Sequence, residues 1–111
     1  MNDSILNSIK DMLGEYDDCF DSEIIMNINL SFMILNELGI GADNFRIDDS
    51  GSQVWDDFLQ GFSDLEGVKN YVFYKTKILF DPPQSSFLME AYDKILSELE
   101  WRLANKEEFR G

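Results

Sequence analysis

Apolar side chains recur with the period of an α-helix from the start of the chain. Residues 3–13 carry an apolar stripe, with Asp3 or Ser4 placed to cap its first turn and Gly14 placed to end it in left-handed geometry. The stripe consists of Ile5, Leu6, Ile9, Met12 and Leu13. This pattern predicts a short amphipathic helix.

A longer helical pattern follows the acidic loop at residues 15–18. Asp21 or Ser22 is placed to cap this second predicted helix, which reaches Leu38 and stops at Gly39. Its main stripe consists of Ile24, Ile25, Ile28, Phe32 and Leu35. Because these residues share one side of the helix, they predict the face that packs in the core.

Met26, Leu30 and Met33 lie at helical spacing on the opposite side of the second predicted helix. A helix that is wet on one side should not carry this second apolar strip. Either another segment of the chain covers the strip, or the strip contacts a neighbouring subunit, where methionine adapts to an irregular surface. The three residues are therefore candidate interface residues.

Residues 45–55 alternate weakly between apolar and polar positions around an Asp-Asp-Ser-Gly-Ser turn at 48–52. The pattern predicts a short β-hairpin or an extended loop. An isolated hairpin of this size is marginal in water. We therefore expect it to pack on the helices through Phe45, Ile47 and Trp55, or to be supported by a partner. Residues 56–59 fit one further helical turn.

The third predicted helix spans Leu65–Phe80 and is apolar around most of its circumference. The spacing of Ser63 and Glu66 is that of a capping box, which predicts where the helix starts. Only Glu66, Asn70 and Lys77 mark a clearly polar face. A helix of this kind is covered from several sides, so we expect it at the centre of the fold.

Asp81, Pro82 and Pro83 end the third predicted helix and form a hinge before the fourth. Ser85 or Ser86 is placed to cap this last helix. We expect the helix to run over residues 87–103. Its predicted inward stripe consists of Leu88, Tyr92, Ile95, Leu96, Leu99 and Leu103.

Trp101 falls on the polar side of the last predicted helix, nearly opposite its apolar stripe. An exposed tryptophan is often an interface anchor. The other interpretation is that its ring lies flat over neighbouring side chains of the same chain. Trp101 therefore joins Met26, Leu30 and Met33 as a candidate contact with another subunit or a partner.

Together these elements predict a mainly α fold: a small four-helix bundle with a short β-hairpin or extended loop between the second and third helices. A chain of 111 residues can bury one core, so we expect residues 1–111 to form a single domain. The highly charged tail at 105–111 is expected to fray.

Acidic residues dominate the charge of the chain. It has 22 Asp and Glu against 9 Lys and Arg, a formal net charge of −13 at pH 7. This charge repels DNA, RNA and anionic lipid, which disfavours binding of nucleic acid. The charge is typical of a solvated exterior. Its functional interpretations are a DNA mimic, or a wall that DNA slides past without sticking.

The residues that most catalytic and metal sites need are missing from the sequence. It contains no histidine and one cysteine, Cys19, which removes the commonest general base and excludes a zinc site. The acidic pairs at 17–18, 48–49 and 56–57 lack the spacing of a calcium loop. Residues 39–41 lack the further glycine and the lysine of a nucleotide loop. We predict no catalytic residue, no cofactor and no metal, and therefore no enzyme; two-carboxylate chemistry is the catalytic alternative that the sequence leaves open.

The sequence also predicts a cytosolic protein. Cys19 is alone and forms no internal disulfide, and Asp3 stands where a secretory signal needs positive charge. The longest apolar runs, such as residues 32–35, fall far short of the roughly 18 to 20 residues of a membrane span. We expect no membrane partner.

Several stretches of the chain resemble the head–tail connector (adaptor) proteins of long-tailed bacteriophages and of prophages in bacterial genomes. In the last two predicted helices they are VKNYV at 68–72, KILFDPP at 77–83 and ILSELEWRL at 95–103. Further stretches are DSILNSIK at 3–10 and LNELG at 35–39.

The resemblance implies a small, mainly helical subunit that assembles with copies of itself as a ring beneath the portal of a filled capsid, a dodecamer being one option. The subunit would contact the portal protein and the next neck or tail component, and DNA would pass through the ring without specific binding. It would act in the virion neck, after assembly in the host cytoplasm. Such proteins have no known catalytic residues.

A second interpretation, from a different class, is an acidic DNA mimic or regulatory protein-binding module that occupies the nucleic-acid site of another protein. Mimicry predicts acids clustered on one exposed face at the spacing of phosphates. Here the acidic residues are spread over loops and helices alike, which favours the connector.

Overall fold

The computed structural model describes residues 4–105, and its helices follow the periodicity of the sequence. They are α1 (Ile5–Leu13), α2 (Asp21–Glu37), α3 (Trp55–Leu59), α4 (Leu65–Phe80) and α5 (Ser86–Ala104). The predicted mainly α fold is confirmed, because α1, α2, α4 and α5 are the four expected helices. The short helix α3 is the further turn expected at 56–59. Most of the predicted frayed tail, residues 106–111, lies outside the described residues.

Local signals set both ends of α1. The Ser4 hydroxyl accepts a hydrogen bond from the Asn7 backbone N–H at 3.1 Å, as an N-cap does. Gly14 has a φ of 77°, a left-handed conformation that glycine adopts without strain. Both features match the prediction, and Asp3, the alternative cap, lies outside the described residues.

The predicted cap of α2 is wrong, since neither Asp21 nor Ser22 takes that position. The N-cap is Phe20, whose side chain makes no cap hydrogen bond. The Asp21 carboxylate instead lies 2.7 Å from Nζ of Lys10, which is buried on α1 and also lies 3.4 Å from Asp18. The hydrogen bond to Asp21 raises the pKa of Lys10 above its ordinary value. A buried cation needs an anionic partner, whereas water can replace a helix cap.

The predicted capping box of α4 is also wrong, although the helix does begin at Leu65. Asp64 rather than Ser63 is the N-cap, and its Oδ1 accepts the Gly67 backbone N–H at 2.9 Å. A Cβ on Gly67 would lie 2.5 Å from Oδ2 of Asp64. The missing side chain therefore leaves room for the aspartate to close on the first turn of the helix.

The central helix of the fold is α4, as its apolar pattern predicts. It packs against α1, α2 and α5, and it buries Val68, Tyr71, Val72 and Thr76 completely. The Tyr71 hydroxyl donates a 2.8 Å hydrogen bond to Glu100, which ties α4 to α5. Burial, together with this carboxylate, raises the pKa of Tyr71, so the phenol keeps its proton and remains a donor.

An aromatic cluster fills the core between α2 and α3. The ring centroid of Phe32 lies 4.4 Å from that of Phe58, 5.1 Å from that of Phe45 and 6.2 Å from that of Trp55. The Trp55 indole N–H donates to the Ser8 hydroxyl of α1 at 3.1 Å, so its polar atom is satisfied in the interior. The cluster therefore joins α1, α2 and α3 in one core.

Residues 45–53 form an extended loop, so of the two predicted forms the hairpin is not found in the described chain. Val54 makes an isolated antiparallel bridge with Ser4, and the Ile5 N–H donates to the Gln53 carbonyl at 2.9 Å. The second arm of the expected hairpin thus pairs with the start of α1. Ile47 is buried, so the loop does pack on the helices.

The connection between α4 and α5 runs through Asp81, Pro82 and Pro83. Asp81 leaves helical geometry, with a φ of −145° and a ψ of 71°, because a residue before proline is pushed out of the α region. Its carboxylate lies 2.8 Å from Nζ of Lys77, one turn earlier. That these residues act as a hinge which sets the angle of α5 stays a prediction.

The last helix begins one residue earlier than predicted and ends one residue later. The Ser85 hydroxyl caps it by accepting the Leu88 N–H at 3.3 Å. Leu96, Leu99 and Leu103 are buried as expected, and Tyr92 and Ile95 are half-buried.

Leu88 is 46% exposed, so its place in the inward stripe of α5 is wrong. Residues 84–88 are all exposed. Among the described helices α5 packs chiefly on α4, and one neighbouring helix covers only one side of its first turn. No helix between residues 4 and 105 has the length and apolar character of a membrane span.

Candidate interaction surfaces

The second apolar strip of α2 lies on the surface of the molecule. Met26 is 65% exposed, Met33 52% and Leu30 36%, while Ile28 and Phe32 on the other side of the helix are fully buried. The sequence leaves open whether another segment covers the strip. Between residues 4 and 105 none covers it, so a large apolar area remains available for contact.

The loop that follows α2 forms a wall beside this strip. Asn29 exchanges two hydrogen bonds with the backbone of Ile47: its Nδ2 donates to the Ile47 carbonyl at 3.0 Å, and its Oδ1 accepts the Ile47 N–H at 2.8 Å. The Asn29 side chain therefore satisfies both backbone hydrogen-bonding groups of Ile47, which in a sheet would bond to a neighbouring strand.

A second asparagine holds the same loop nearer its start. Asn36 Nδ2 donates to the carbonyl of Ile40 at 2.9 Å and to that of Ala42 at 3.0 Å. These bonds satisfy backbone groups of a loop that has no strand partner over residues 45–53. The loop is thereby fixed along one side of α2.

Between α2 and this loop lies an open groove of about 700 Å³. The residues that line it, which we name the α2 groove, are Met26, Asn27, Asn29, Leu30, Met33, Asn36, Glu37, Asn44, Phe45 and Arg46. Its floor is apolar, and its rim carries one basic and one acidic side chain. Such a groove suits an apolar side chain or helix of a protein partner better than a charged small molecule.

Sequence reasoning found the methionines of the α2 groove but missed its wall. The apolar periodicity does not indicate Asn29, Asn36 or Arg46, because none of them belongs to an apolar stripe. A signal was present in α2, since asparagine is unfavourable inside a helix and favours hydrogen bonds to nearby backbone. The helix contains three asparagines, and the side chains of two of them, Asn29 and Asn36, bond to the backbone of the loop.

Trp101 lies on α5 and does not line the α2 groove. It is 59% exposed, on the side of α5 away from the buried leucines, as its spacing predicts. The Asn105 side chain donates to the Trp101 carbonyl at 2.8 Å and closes the end of the helix. The candidate interface residues therefore fall on two separate surfaces, one on α2 and one on α5.

The most exposed aromatic side chain of α5 is Phe87, at 77%, and sequence reasoning did not assign it to any surface. Leu79 and Leu88, at the same end of the α4–α5 pair, are exposed as well. The available signal was its position: Phe87 lies in the first turn of α5, four residues after Pro83, and falls outside the inward stripe of α5. The end of the helix pair is thus a second apolar region of the α5 side.

The described residues show no arrangement of side chains that is typical of a catalytic site. Residues 4–105 hold no group of three or more acidic or cysteine side chains placed to bind a metal ion. Cys19 is free and exposed. The two groups with raised pKa values, Lys10 and Tyr71, are both engaged in bonds between helices. The exposed surface of this part of the chain carries large apolar side chains instead, among them Met26, Met33, Phe87 and Trp101.

Comparison with known proteins identifies a protein family. The family model described as phage connector protein matches residues 5–110. No curated protein and no solved structure matches the chain. The match covers nearly the whole sequence, agrees with the helical fold, and shows that this chain belongs to the phage connector protein family, with the structural connector role of that family.

Proposed function

We propose that the chain is one subunit of a ring that lies beneath the portal of a DNA-filled capsid and joins the portal to the next neck or tail component. The observation that carries the proposal is the family match over residues 5–110. In this role the protein occupies the virion neck, and it is assembled there from the host cytoplasm.

Two separate exposed surfaces support assembly into a ring. Head-to-tail contacts around a closed ring require two different patches on every subunit. Met26 and Met33 on α2 supply one patch, and Phe87 and Trp101 on α5 supply another. The proposed hinge, Asp81-Pro82-Pro83, would then set the angle at which α5 is presented to the neighbour.

The charge of the chain supports a role beside moving DNA. A subunit with a net charge of −13, repeated around a channel, gives an assembly of strongly negative potential. Phosphates are repelled by such a wall, so DNA passes through it without specific binding. Self-assembly of so acidic a subunit requires favourable local contacts that outweigh the overall repulsion.

Reconstitution with the portal tests this function. The purified chain and the portal protein from the same phage genome are mixed, and complexes are examined by electron microscopy and native mass spectrometry. We expect a ring of chain copies on one end of the portal. A chain that remains monomeric without portal is compatible with the proposal, whereas a chain that binds neither the portal nor a neighbouring neck protein contradicts it.

Substitutions on the two surfaces test whether they make the ring contacts. Met33→Glu places a charge in the apolar α2 groove, and Trp101→Ala removes an exposed aromatic side chain from α5. Each change should raise the concentration needed for ring formation on the portal by about tenfold, the effect of about 1.4 kcal/mol at a contact. Circular dichroism should show an unchanged fold, since both side chains are exposed.

The matched control is Ser22→Glu, which adds the same charge to an exposed position of α2 outside the groove. It should assemble like the wild type. Unchanged ring formation by both Met33→Glu and Trp101→Ala would remove these residues from the interface and leave the ring function standing.

A further inference from the structure

The outward side of α5 carries a regular set of exposed side chains. Helical spacing places Phe87, Glu90, Lys94, Glu98 and Trp101 along one side of the helix, away from the buried leucines. We name these residues the outer face of α5. Its two aromatic side chains are about 21 Å apart along the helix axis at 1.5 Å per residue. An aromatic side chain at each end and charges between them make an amphipathic contact surface.

The α2 groove has a charged rim that the chain leaves unsatisfied. Arg46 is exposed and Glu37 is exposed, and neither forms an ion pair between residues 4 and 105. The chain has 9 basic residues against 22 acidic ones, so positive charges are few on its surface. Arg46 places one of them beside the apolar groove. It favours an occupant that is apolar and acidic.

The outer face of α5 is apolar and acidic in the required way. It presents acid, base and acid in the order Glu90, Lys94, Glu98, and none of the three forms an ion pair within the described chain. The two glutamates offer partners for Arg46, and Lys94 offers one for Glu37. The apolar ends of the same face match the methionines of the groove floor.

From this complementarity we propose that the α2 groove of one subunit binds the outer face of α5 from a second copy of the chain. The proposal rests on the proposed function and names the contact by which the ring forms. A helix that lays an amphipathic face into an apolar groove is a common mode of protein recognition. A contact between a methionine sulfur of the groove and an aromatic ring at one end of the outer face of α5 is favourable in addition.

The arrangement of the two surfaces determines the symmetry of the contact. The groove lies on α2 and its occupant lies on α5, so each subunit uses one surface toward each neighbour. A contact of this head-to-tail kind does not end with a dimer, because the second surface of every added subunit remains open. It gives a closed ring when the rotation from one subunit to the next closes on itself, and an open filament when it does not.

Cross-linking between two single-cysteine variants tests the contact directly. In a Cys19→Ser background, which removes the exposed native thiol, one variant carries Met33→Cys and the other Phe87→Cys. The two are mixed in equal amounts, assembled on the portal and treated with a short bismaleimide. We expect dimers that contain one copy of each variant, and none when either variant is used alone.

The control replaces the Phe87→Cys variant by Asp11→Cys, an exposed position of α1 that belongs to neither surface. Rings on the portal without mixed dimers above this control would overturn the proposed contact and leave the ring function intact. Linkage of the Met33→Cys variant to the portal protein would overturn it as well, because the portal would then occupy the groove. Failure of the wild type to bind either the portal or a neighbouring neck protein would overturn both proposals.

Charge reversal tests the complementarity independently. Arg46→Glu should raise the concentration needed for ring formation by about tenfold, as expected for the loss of a specific charge pair. The pair Glu90→Arg and Glu98→Arg should also weaken assembly, although it makes the chain less negative. Combined in one chain, the three substitutions should restore assembly.

Lys69→Glu is the control for Arg46→Glu, since it makes the same change in charge on α4, outside the α2 groove and the outer face of α5. If Arg46→Glu acts no more strongly than this control, or if the α5 substitutions strengthen assembly in proportion to net charge, the proposed pairing is wrong.

Discussion

At the scale of single residues, Gly41 determines how closely the loop after α2 packs on the core. Its φ of 81° lies in the left-handed region, and a Cβ at this position would overlap the ring of Phe58. Gly39 has a similar φ of 86°, but a Cβ there would meet no atom within 4 Å. A substitution at Gly39 therefore introduces backbone strain alone, whereas a substitution at Gly41 introduces the same strain and a clash with Phe58.

Alanine substitutions at these positions should differ in their effect on the free energy of unfolding. Gly39→Ala should lower it by about 1 kcal/mol, the cost of a left-handed alanine. Gly41→Ala should lower it by about 3 kcal/mol, because overpacking against Phe58 adds to the same strain. Urea denaturation followed by circular dichroism measures both values. Equal losses would show that the Phe58 contact is not what requires a glycine at position 41.

At the scale of secondary-structure elements, α2 has two functions beyond core packing. Its exposed methionines form the floor of the α2 groove, and Asn29 and Asn36 hold the loop that forms the wall. The groove therefore depends on side chains that contribute little to the propensity of the helix itself.

Asn29→Ala should leave the N–H and the carbonyl of Ile47 without their partner. We expect the free energy of unfolding to fall by about 2 kcal/mol, within the range for buried backbone groups left unpaired. Hydrogen exchange should become faster at the amides of residues 45–48. Asn27→Ala is the matched control, because Asn27 also lines the groove but its side chain donates no hydrogen bond to the loop in the described structure. Similar exchange in the two variants would contradict the role given to Asn29.

At the scale of the whole molecule, the excess of acidic residues opposes both compactness and self-association. The net charge of −13 is spread over a small subunit, so its charges repel one another at low ionic strength. Salt shortens the range of this repulsion, from a Debye length of about 30 Å at 0.01 M to about 10 Å at 0.1 M. Added salt should therefore increase both the stability of the folded chain and its tendency to assemble.

Raising NaCl from 0.01 M to 0.1 M should raise the melting temperature of the chain and lower the concentration at which rings form on the portal. Calorimetry and mass photometry measure the two effects. A variant with Asp17→Asn, Asp49→Asn and Asp56→Asn, all at exposed positions, should show a smaller dependence on salt. A melting temperature that falls as NaCl is added would show that attractive pairs outweigh the repulsion.

The sequence by itself determined the features that depend on neighbours within a helical turn. It predicts the four main helices, Asp3 or Ser4 as the cap of α1, its end at Gly14, and the position of Met26 and Met33 opposite the main apolar stripe of α2. Each of these follows from the spacing of side chains along one helix or from the conformational freedom of one residue. Family membership is also a property of the sequence, since the match runs over residues 5–110.

The tertiary structure alone decided the features whose partners are distant along the chain. Asp21 forms an ion pair with Lys10 and does not cap α2. Val54 forms its β-bridge with Ser4, where the sequence predicts a hairpin or an extended loop. Leu88 is exposed although its spacing predicts burial. The wall of the α2 groove is likewise held by hydrogen bonds of Asn29 to Ile47, which is distant along the chain. Periodicity records which side of a helix is apolar, but which segment lies against that side is set by the packing of the whole chain.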